Sequence, residues 1–257
     1  MTSLQQRTPA WHAARRGKLT CSNLGALLGQ VSYTSRKQAY RRALGLEQFT
    51  GNVATRWGTD NELNAIGCYM AATGNVVKPT GLHVHPDYHW LAGSPDGLVG
   101  EQGMIEVKCP FYPKRDGSSR VHNSVPHHYW IQINALLEIT GREWCDYISW
   151  TPEEYKVYRV YKDHTTFDYL CNFYAQDYAA IAALSNSPPP MSTAEKNCIR
   201  STIMESMKTS VDLEFWNSVY DSKMQPPTPT HSEQSSDENY EPPAKRQRLS
   251  STQTCDE

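Results

Sequence analysis

Three residues between positions 96 and 108 have the types and spacing to do chemistry. Asp96 lies in the turn sequence SPDG, and Glu106 and Lys108 lie two residues apart in MIEVKC. Because side chains alternate between the two faces of a strand, Glu106 and Lys108 share one face and Val107 points to the other. Pairing of SPDGLV with MIEVKC through the VGEQG turn would place Asp96 beside Glu106. The spacing therefore predicts a patch of two carboxylates and one ammonium group.

Such a patch suits hydrolysis of a phosphodiester with the help of a divalent cation. Mg²⁺ takes oxygen ligands from one or two carboxylates, keeps several waters and accepts phosphate oxygens. A nearby lysine can orient the nucleophile or neutralise developing charge. The alternative is a surface hairpin with an ion pair, which is the more common meaning of the bare pattern. The apolar neighbours Met104, Ile105 and Val107 favour the functional interpretation, because idle charges are costly in such surroundings.

The sequence pattern on both sides of this patch predicts an α+β fold, with a central mixed β-sheet flanked by helices. Short β-type runs, NVVKP, GLHVH, HWLAG and MIEVKC, follow one another as in a meander. Two further strands, EWCDYISW and YKVYRVY, are joined by TPEE. The predicted helices begin at Pro9, after Thr20 or Ser22, after Ser35, at Val53, after Pro126 and near Asp163. Glycines end three of them, at Gly17, Gly74 and Gly141.

The charge distribution is uneven although the net charge is only −2. No Asp or Glu precedes Glu47, and a segment of this kind attracts polyanions. A solvated helical face is the alternative interpretation of such a charge run. The eight basic residues of this segment are Arg7, Arg15, Arg16, Lys18, Arg36, Lys37, Arg41 and Arg42.

Length and composition indicate one domain with a substantial core, over residues 1–220. No apolar run approaches the roughly 18 to 20 residues that cross a bilayer, and the N-terminus has no apolar signal core, so we expect a soluble protein without a membrane partner. Seven scattered cysteines without a CxxC pair argue against a disulfide framework or a zinc site, and favour a reducing compartment.

The C-terminal part of the chain has a different composition. The core signal weakens after about residue 185, and residues 221–257 are rich in Pro, Ser, Thr, Gln and Glu, which predicts a disordered tail. Within it, PPAKRQRL contains a basic cluster of Lys245, Arg246 and Arg248. Clusters of this kind are typical of nuclear import signals, so we expect the nucleus of a eukaryotic host cell; a neutral solubilising tail is the alternative.

Several motifs together resemble a known family. TPAWHAARRGKLTCSN, RWGTDNE, SPDGL, IEVKCPF and YWIQINALLEITG occur in order over roughly residues 9–180. This arrangement is similar to that of the lambda exonuclease type of viral recombination nucleases, the YqaJ-like branch of the PD-(D/E)xK nucleases. The resemblance implies a restriction-endonuclease-like core.

The resemblance also implies roles for individual residues. Asp96 and Glu106 would ligate Mg²⁺, or Mn²⁺ as a substitute, with the Val107 carbonyl, and Glu62 would complete the acidic site. Lys108 would position the attacking water, and Gln132 would line the site from its helix. Arg15 and Ser22 would hold the 5′ terminal phosphate of the DNA.

The expected function is that of a metal-dependent DNA exonuclease. It would digest one strand of a duplex from the 5′ end and leave a single-stranded 3′ overhang for recombination or annealing. The resemblance implies double-stranded DNA ends as substrate, a single-strand annealing protein as partner and a trimeric homo-oligomer. Two alternatives stay open: an endonuclease on the same fold, and a catalytically silent module that binds DNA ends. The presence of all the acids needed for chemistry counts against the silent module.

Overall fold

A computed structural model describes residues 4–47, 51–111 and 121–212 of the chain. The predicted domain boundary at 220 and the tail of residues 221–257, with its basic cluster, lie outside the described residues. The described helices are α1 Pro9–Ala14, α2 Cys21–Leu27, α3 Arg36–Ala43, α4 Val53–Thr73, α5 His127–Thr140, α6 His164–Ala182 and α7 Thr193–Ser210. The described strands are β1 Leu19–Thr20, β2 Val77–Lys78, β3 His83–Val84, β4 Leu91–Gly93, β5 Gly97–Val99, β6 Gly103–Lys108, β7 Trp144–Trp150, β8 Tyr155–Tyr161 and β9 Val211–Asp212.

The larger sheet has six strands in the order β2-β5-β6-β7-β8-β9. Strands β6 and β7 are parallel and the other neighbours are antiparallel, so the sheet is mixed, as the sequence predicts. The α+β fold class is therefore confirmed. The hairpin of β5 and β6, which carries the acidic patch, lies inside this sheet rather than at its edge.

The expected single meander is wrong, because the short strands divide between two sheets. A second sheet has the order β1-β4-β3, in which β4 pairs in parallel with β1. Leu19 pairs with Leu91 in this ladder. A pairing between residues so far apart in sequence leaves no local pattern, so β1 was not predicted.

The predicted helix ends are confirmed where a cap specifies them. Ser35 begins α3 with a capping box that includes Gln38. Gly74 and Gly141 end α4 and α5 in the left-handed region, at φ 69° and 66°, where glycine is favoured. Thr20 rather than Ser22 is the N-cap residue of α2.

Helices cover both faces of the six-stranded sheet. On one face α4 packs Ala65 and Tyr69 against a cluster that includes Ile105 and Val107. On the other face Met104 belongs to a larger core with α2, α5, α6 and α7. The alternation along β6 therefore points Ile105 and Val107 toward α4, and it leaves Glu106 and Lys108 on the face covered by α5.

Helix α7 and strand β9 extend the fold beyond the part that the core signal predicted. Ile199 and Ile203 of α7 are fully buried, and Val211 pairs with Val160 at the edge of the sheet. Most of the other residues of α7 are polar, so its composition does not reveal the two buried isoleucines. No helix in the described ranges has the length and apolar character that a membrane span requires.

Candidate active site

The hairpin of β5 and β6 brings Asp96 beside the strand that carries Glu106, as predicted. Gly97 pairs with Ile105, and the Asp96 amide donates to the Ile105 carbonyl at 3.2 Å. The Asp96 carboxylate in turn accepts from the Val107 amide at 2.7 Å. A Cβ at Gly97 would lie 2.2 Å from Val77 Cγ1, so glycine is required for β2 to pack against this turn.

Glu106 is the most deeply buried acid of the site, with 2% of its surface exposed. Its Oε1 accepts from Lys108 Nζ at 2.5 Å and from Gln132 Nε2 at 2.6 Å. Its Oε2 is also buried, but it has no hydrogen-bond partner within the described part of the chain. A buried carboxylate oxygen without a partner is costly, and a cation at this oxygen would remove that cost.

The pKa shifts of Asp96 and Lys108 also indicate that the site favours an additional positive charge. Burial raises the pKa of Asp96 well above its ordinary value, and the charges of Glu106 and Glu62 raise it further. For Lys108, burial acts to lower the pKa, but the charges of Glu106, Tyr129 and Asp96 and the hydrogen bond to Glu106 together outweigh it, and the pKa is raised. Lys108 is therefore held as a cation, whereas the pair Asp96 and Glu106 favours an additional positive charge.

A hard divalent cation fits this set of donors. Carboxylate oxygens of Asp96 and Glu106 are the type of ligand that Mg²⁺ prefers, and Mg²⁺ needs only one or two of them because it keeps several waters. In the described ranges no three His, Cys, Asp or Glu residues form a group that could hold a metal. The site therefore suits a cation that shares its ligands with water and substrate, and not a closed protein cage.

Glu62 lies near these acids but has a partner of its own. It projects from α4 and forms an ion pair with Arg7, whose guanidinium donates to Glu62 Oε2. Its charge still contributes to the raised pKa of Asp96. The structure thus brings Asp96, Glu106 and Lys108 together with Gln132, and places Glu62 at the margin with Arg7, a contact that the sequence did not predict.

A cleft of about 90 Å³ adjoins the acids between α2 and α5. Gln132 lies in its wall, so the residue that holds Glu106 also faces the cleft. Tyr129 connects the two regions, because its ring lies 4.8 Å from Lys108 Nζ. The lining residues are Ser22, Asn23, Gly25, Ala26, Val31, Tyr33, Thr34, Arg42, His128, Tyr129 and Gln132.

The two residues predicted to hold a terminal phosphate have different positions. Ser22 lines the cleft, and Arg15 is not among the lining residues. The Arg15 guanidinium lies 4.1 Å from the centre of the Trp11 ring. Trp11 Nε1 donates to Ser94 Oγ at 2.9 Å, two residues before Asp96. Arg15 is therefore connected to the acidic turn through Trp11.

Several charges of the basic segment have partners in the fold, some local and some distant in sequence. Arg36 pairs with Asp177, and Arg41 and Arg42 lie 3.8 and 3.6 Å from Glu47. Lys18 donates to the His89 carbonyl at 2.6 Å. The fold therefore places an acid beside Arg36, although none lies near it in the sequence. Arg42 lines the cleft. The sequence does not predict this role, because nothing in it separates Arg42 from the other seven basic residues of the segment.

These features define an α+β protein with a buried acidic site next to a polar cleft. Residues 10–143 match the YqaJ-like viral recombinase domain, and the chain belongs to this family. The match includes the acidic hairpin, Glu62, Gln132 and the cleft residues.

Similar proteins occur in large DNA viruses and in a bacterium. "Uncharacterized protein R354" of Acanthamoeba polyphaga mimivirus is 22% identical over 164 residues, which is 59% of this chain and 30% of that protein. "Protein D345L" of African swine fever virus, isolate Tick/Malawi/Lil 20-1/1983, is 25% identical over 170 residues, or 54% and 47% of the two chains. This chain thus matches less than half the length of these viral relatives.

Two solved structures of LHK-Exo, an alkaline exonuclease from Laribacter hongkongensis, resemble this chain along almost their whole length. The complex with dAMP has a TM-score of 0.54 and 27% identity and covers 77% of this chain and 99% of that chain. The other crystal structure has a TM-score of 0.51 and 28% identity with the same coverage.

Proposed function

We propose that this protein is a metal-dependent DNA exonuclease that degrades duplex DNA from a 5′ end. The observation that carries the proposal is the buried Oε2 of Glu106, which has no hydrogen-bond partner among the described residues and lies next to Asp96 and Lys108. Membership in the YqaJ-like viral recombinase family and the similarity to an alkaline exonuclease support it.

The cation of the proposed site is Mg²⁺, with Mn²⁺ as a substitute. Asp96 and Glu106 would hold it, with the Val107 carbonyl and Glu62 as further oxygen donors. When bound, the cation supplies Lewis-acid chemistry, since it polarises a phosphate and makes a coordinated water more acidic. The buried Oε2 of Glu106 is the atom whose cost of burial this ligand would remove.

The residues around the acids have distinct tasks in the proposed reaction. Lys108 stays protonated because Glu106 raises its pKa, so it acts as a hydrogen-bond donor and a positive charge toward the attacking water and the phosphate, and not as a base. Gln132 fixes the Glu106 carboxylate through Oε1 and leaves Oε2 for the ligand. The Tyr129 ring lies close to the ammonium of Lys108 and restricts its position.

The cleft beside Gln132 is the proposed location of the 5′ terminal nucleotide. Ser22 and Arg42 supply a hydroxyl and a positive charge on its wall. Arg15 would contact the terminal phosphate from its position against Trp11, since a guanidinium binds a phosphate with parallel hydrogen bonds. An enzyme that holds a 5′ end in this way removes nucleotides from that strand and leaves a 3′ overhang.

Arg15→Ala tests this assignment of the end-binding residue. We expect the unsubstituted protein to degrade a 5′-phosphorylated duplex faster than a 5′-hydroxyl duplex, and the variant to reduce the preference by about tenfold, the effect of losing one charged hydrogen bond. Comparison of initial rates on the two duplexes measures it. Arg16→Ala, which removes an exposed charge from the same segment, is the control. Full preference in Arg15→Ala would remove this residue from the end-binding site.

A single-strand annealing protein, a trimeric assembly and a nuclear location complete the proposal, and they rest on the family resemblance and on the basic cluster of residues 245–248. A fluorescent fusion with Lys245, Arg246 and Arg248 changed to alanine should no longer concentrate in nuclei. Nuclear accumulation equal to that of the unchanged fusion would contradict the import role.

The test of the function uses purified protein with Mg²⁺ on duplexes labelled at either end, beside a covalently closed circle. The proposal predicts mononucleotide products from the 5′ strand, an intact circle and no products in EDTA. Cutting of the circle would support an endonuclease on the same fold. Binding of duplex ends without any cleavage would support a catalytically silent module.

A further inference from the structure

The segment from Leu4 to Thr8, which precedes the family match at residue 10, lies against the turn that carries Asp96. Gln6 Nε2 donates to the Pro95 carbonyl at 2.9 Å and to the Thr80 carbonyl at 3.3 Å. A Cβ at Gly81 would lie 2.0 Å from the Leu4 carbonyl oxygen, which shows how closely the two backbones approach. The segment is therefore anchored next to the residue that precedes Asp96.

Arg7 is held in an unusual conformation by this anchoring. Its φ is 65°, in the left-handed region that few residues other than glycine adopt. Such a conformation persists where the surrounding contacts determine it. Here the contact is the ion pair between the Arg7 guanidinium and Glu62 Oε2, with the two side chains 50% and 20% exposed. The backbone of Arg7 thus directs its side chain at the marginal acid of the site.

The ion pair between Arg7 and Glu62 offsets part of the negative charge of the acidic site. Asp96, Glu106 and Glu62 repel one another, as the raised pKa of Asp96 shows after burial is taken into account. Lys108 neutralises Glu106, and Arg7 neutralises Glu62. The proposed function also assigns Glu62 to the cation, as a further oxygen donor beside Asp96 and Glu106. One carboxylate therefore has two competing positive partners.

We propose that Arg7 is a positioning residue that occupies Glu62 until a divalent cation binds, and that the cation and Arg7 compete for this carboxylate. The inference rests on the metal site of the proposed function. It adds a residue that lies outside residues 10–143. A cation that takes Glu62 Oε2 as a ligand must displace the Arg7 guanidinium, so Arg7 lowers the cation affinity of the site.

Titration of Mn²⁺ into the DNA-free protein by calorimetry measures this competition. Arg7→Gln should bind Mn²⁺ about tenfold more tightly, because it removes a positive charge a few ångströms from the incoming ion. Arg7→Lys should restore an affinity within about threefold of the original. Arg16→Gln removes an exposed charge from the same segment, away from Glu62, and should change the affinity by less than about twofold because solvent screens it.

A double-mutant cycle shows whether the effect passes through Glu62. In a Glu62→Gln background, the change of Arg7 to Gln should no longer alter Mn²⁺ affinity. Melting curves in EDTA establish that each variant is folded, and Arg7→Gln should show the larger rise in melting temperature on addition of Mn²⁺.

The results separate this inference from the proposed function. Unchanged or weaker Mn²⁺ binding by folded Arg7→Gln, or a gain that persists in the Glu62→Gln background, overturns the role of Arg7 and leaves the metal site intact. Failure of the unsubstituted protein to bind Mn²⁺ would overturn the metal site itself, and the inference with it.

Discussion

Two neighbouring strands of the central sheet each bury a carboxylate, and the two carboxylates differ in how completely their oxygens are hydrogen-bonded. Asp146 of β7 is fully buried, and both of its oxygens are satisfied. Arg159 donates to them at 2.8 and 2.9 Å, and the Tyr69 hydroxyl donates at 2.7 Å. Glu106 of β6 is almost as deeply buried, but only its Oε1 is paired within the described ranges.

Under the proposed function, the difference separates a structural acid from a metal ligand. A buried charge with a complete set of partners holds elements together, and here Asp146 ties β8 and α4 to β7. A buried charge with one unpaired oxygen is costly for the fold. The charge of Glu106 also acts on Asp96, so a second carboxylate lies near the unpaired oxygen, and a cation would stabilise both.

Asp177 shows that a buried, unpaired carboxylate oxygen indicates a metal site only when a second carboxylate lies beside it. It is fully buried and pairs with Arg36, and its Oδ2 has no hydrogen-bond partner in the part of the chain that the structure describes. Burial raises the pKa of Asp177, the charge of Arg36 acts to lower it, and no second acid is among the causes. One unpaired oxygen is therefore insufficient to define a metal site, and Glu106 stands apart from Asp177 because of its acidic neighbours.

The largest effect is expected from Glu106→Gln, which keeps the shape and removes the charge. Cleavage of end-labelled duplex should fall by at least roughly 10³-fold, because the proposed cation loses a ligand. The melting temperature in EDTA should change less than in Asp146→Asn, because relief of the burial of the unpaired Oε2 offsets the loss of the counter-charge of Lys108. Activity near that of the original protein would show that Glu106 is a structural acid like Asp146.

The lysine partner of Glu106 should behave as part of the same site. Lys108→Met should reduce cleavage by roughly 10²- to 10³-fold, the loss typical of one group that stabilises transition-state charge. Initial rates at saturating DNA measure the effect, and circular dichroism checks that the fold is retained. If the variant is less stable but each folded molecule still cleaves at the original rate, Lys108 is a structural residue, like Asp146.

Asp146→Asn tests the other side of the comparison. The free energy of unfolding should fall by about 3 kcal/mol, because the variant leaves the Arg159 guanidinium without its buried counter-charge. Urea denaturation measures this change. Mn²⁺ affinity and the cleavage rate per folded molecule should stay within a few-fold of the original values. Loss of Mn²⁺ binding in a folded Asp146→Asn variant would contradict the division into two classes.

Asp177 gives a smaller effect that depends on pH. Burial raises the pKa of Asp177 to about 6, although Arg36 acts to lower it. The folded protein thus binds a proton that the unfolded chain, with an ordinary pKa of 3.8, does not hold between these values. Its contribution to stability is complete below pH 3.8 and is lost as the pH rises through 6.

Asp177→Asn measures that contribution, because asparagine is neutral throughout. Between pH 4 and pH 7 the original protein should lose roughly 2–3 kcal/mol of unfolding free energy relative to the variant. Urea denaturation of both proteins at four pH values gives this difference. A difference that grows in the opposite direction would mean that the Arg36 ion pair, and not burial, controls the pKa.

The sequence predicts local features of the site well. The hairpin that joins Asp96 to Glu106 is short, so turn residues and strand alternation were sufficient to place both acids and Lys108. The N-cap of α3 and the glycines after α4 and α5 likewise act within a few residues. These features depend on neighbours in the chain, which a sequence displays directly.

Contacts between distant residues were not predictable in this way. Arg7 pairs with Glu62 and Arg36 with Asp177, so an acid-free segment acquires acids only in the folded state. The satisfied state of Asp146 depends on Tyr69 and Arg159, which come from two other elements. The sequence places Lys108 two residues from Glu106, but it does not show that Asp146 is satisfied, because packing brings the partners of Asp146 from other elements.

The most direct test of the account is a crystal structure of the protein soaked in Mn²⁺, with an anomalous difference map recorded at the manganese edge. The account predicts a peak within coordination distance of Glu106 Oε2 and of an Asp96 oxygen, and none beside Asp146. A peak elsewhere, or a protein without a peak at saturating Mn²⁺, would contradict the central claim that the unpaired oxygen of Glu106 is a cation ligand.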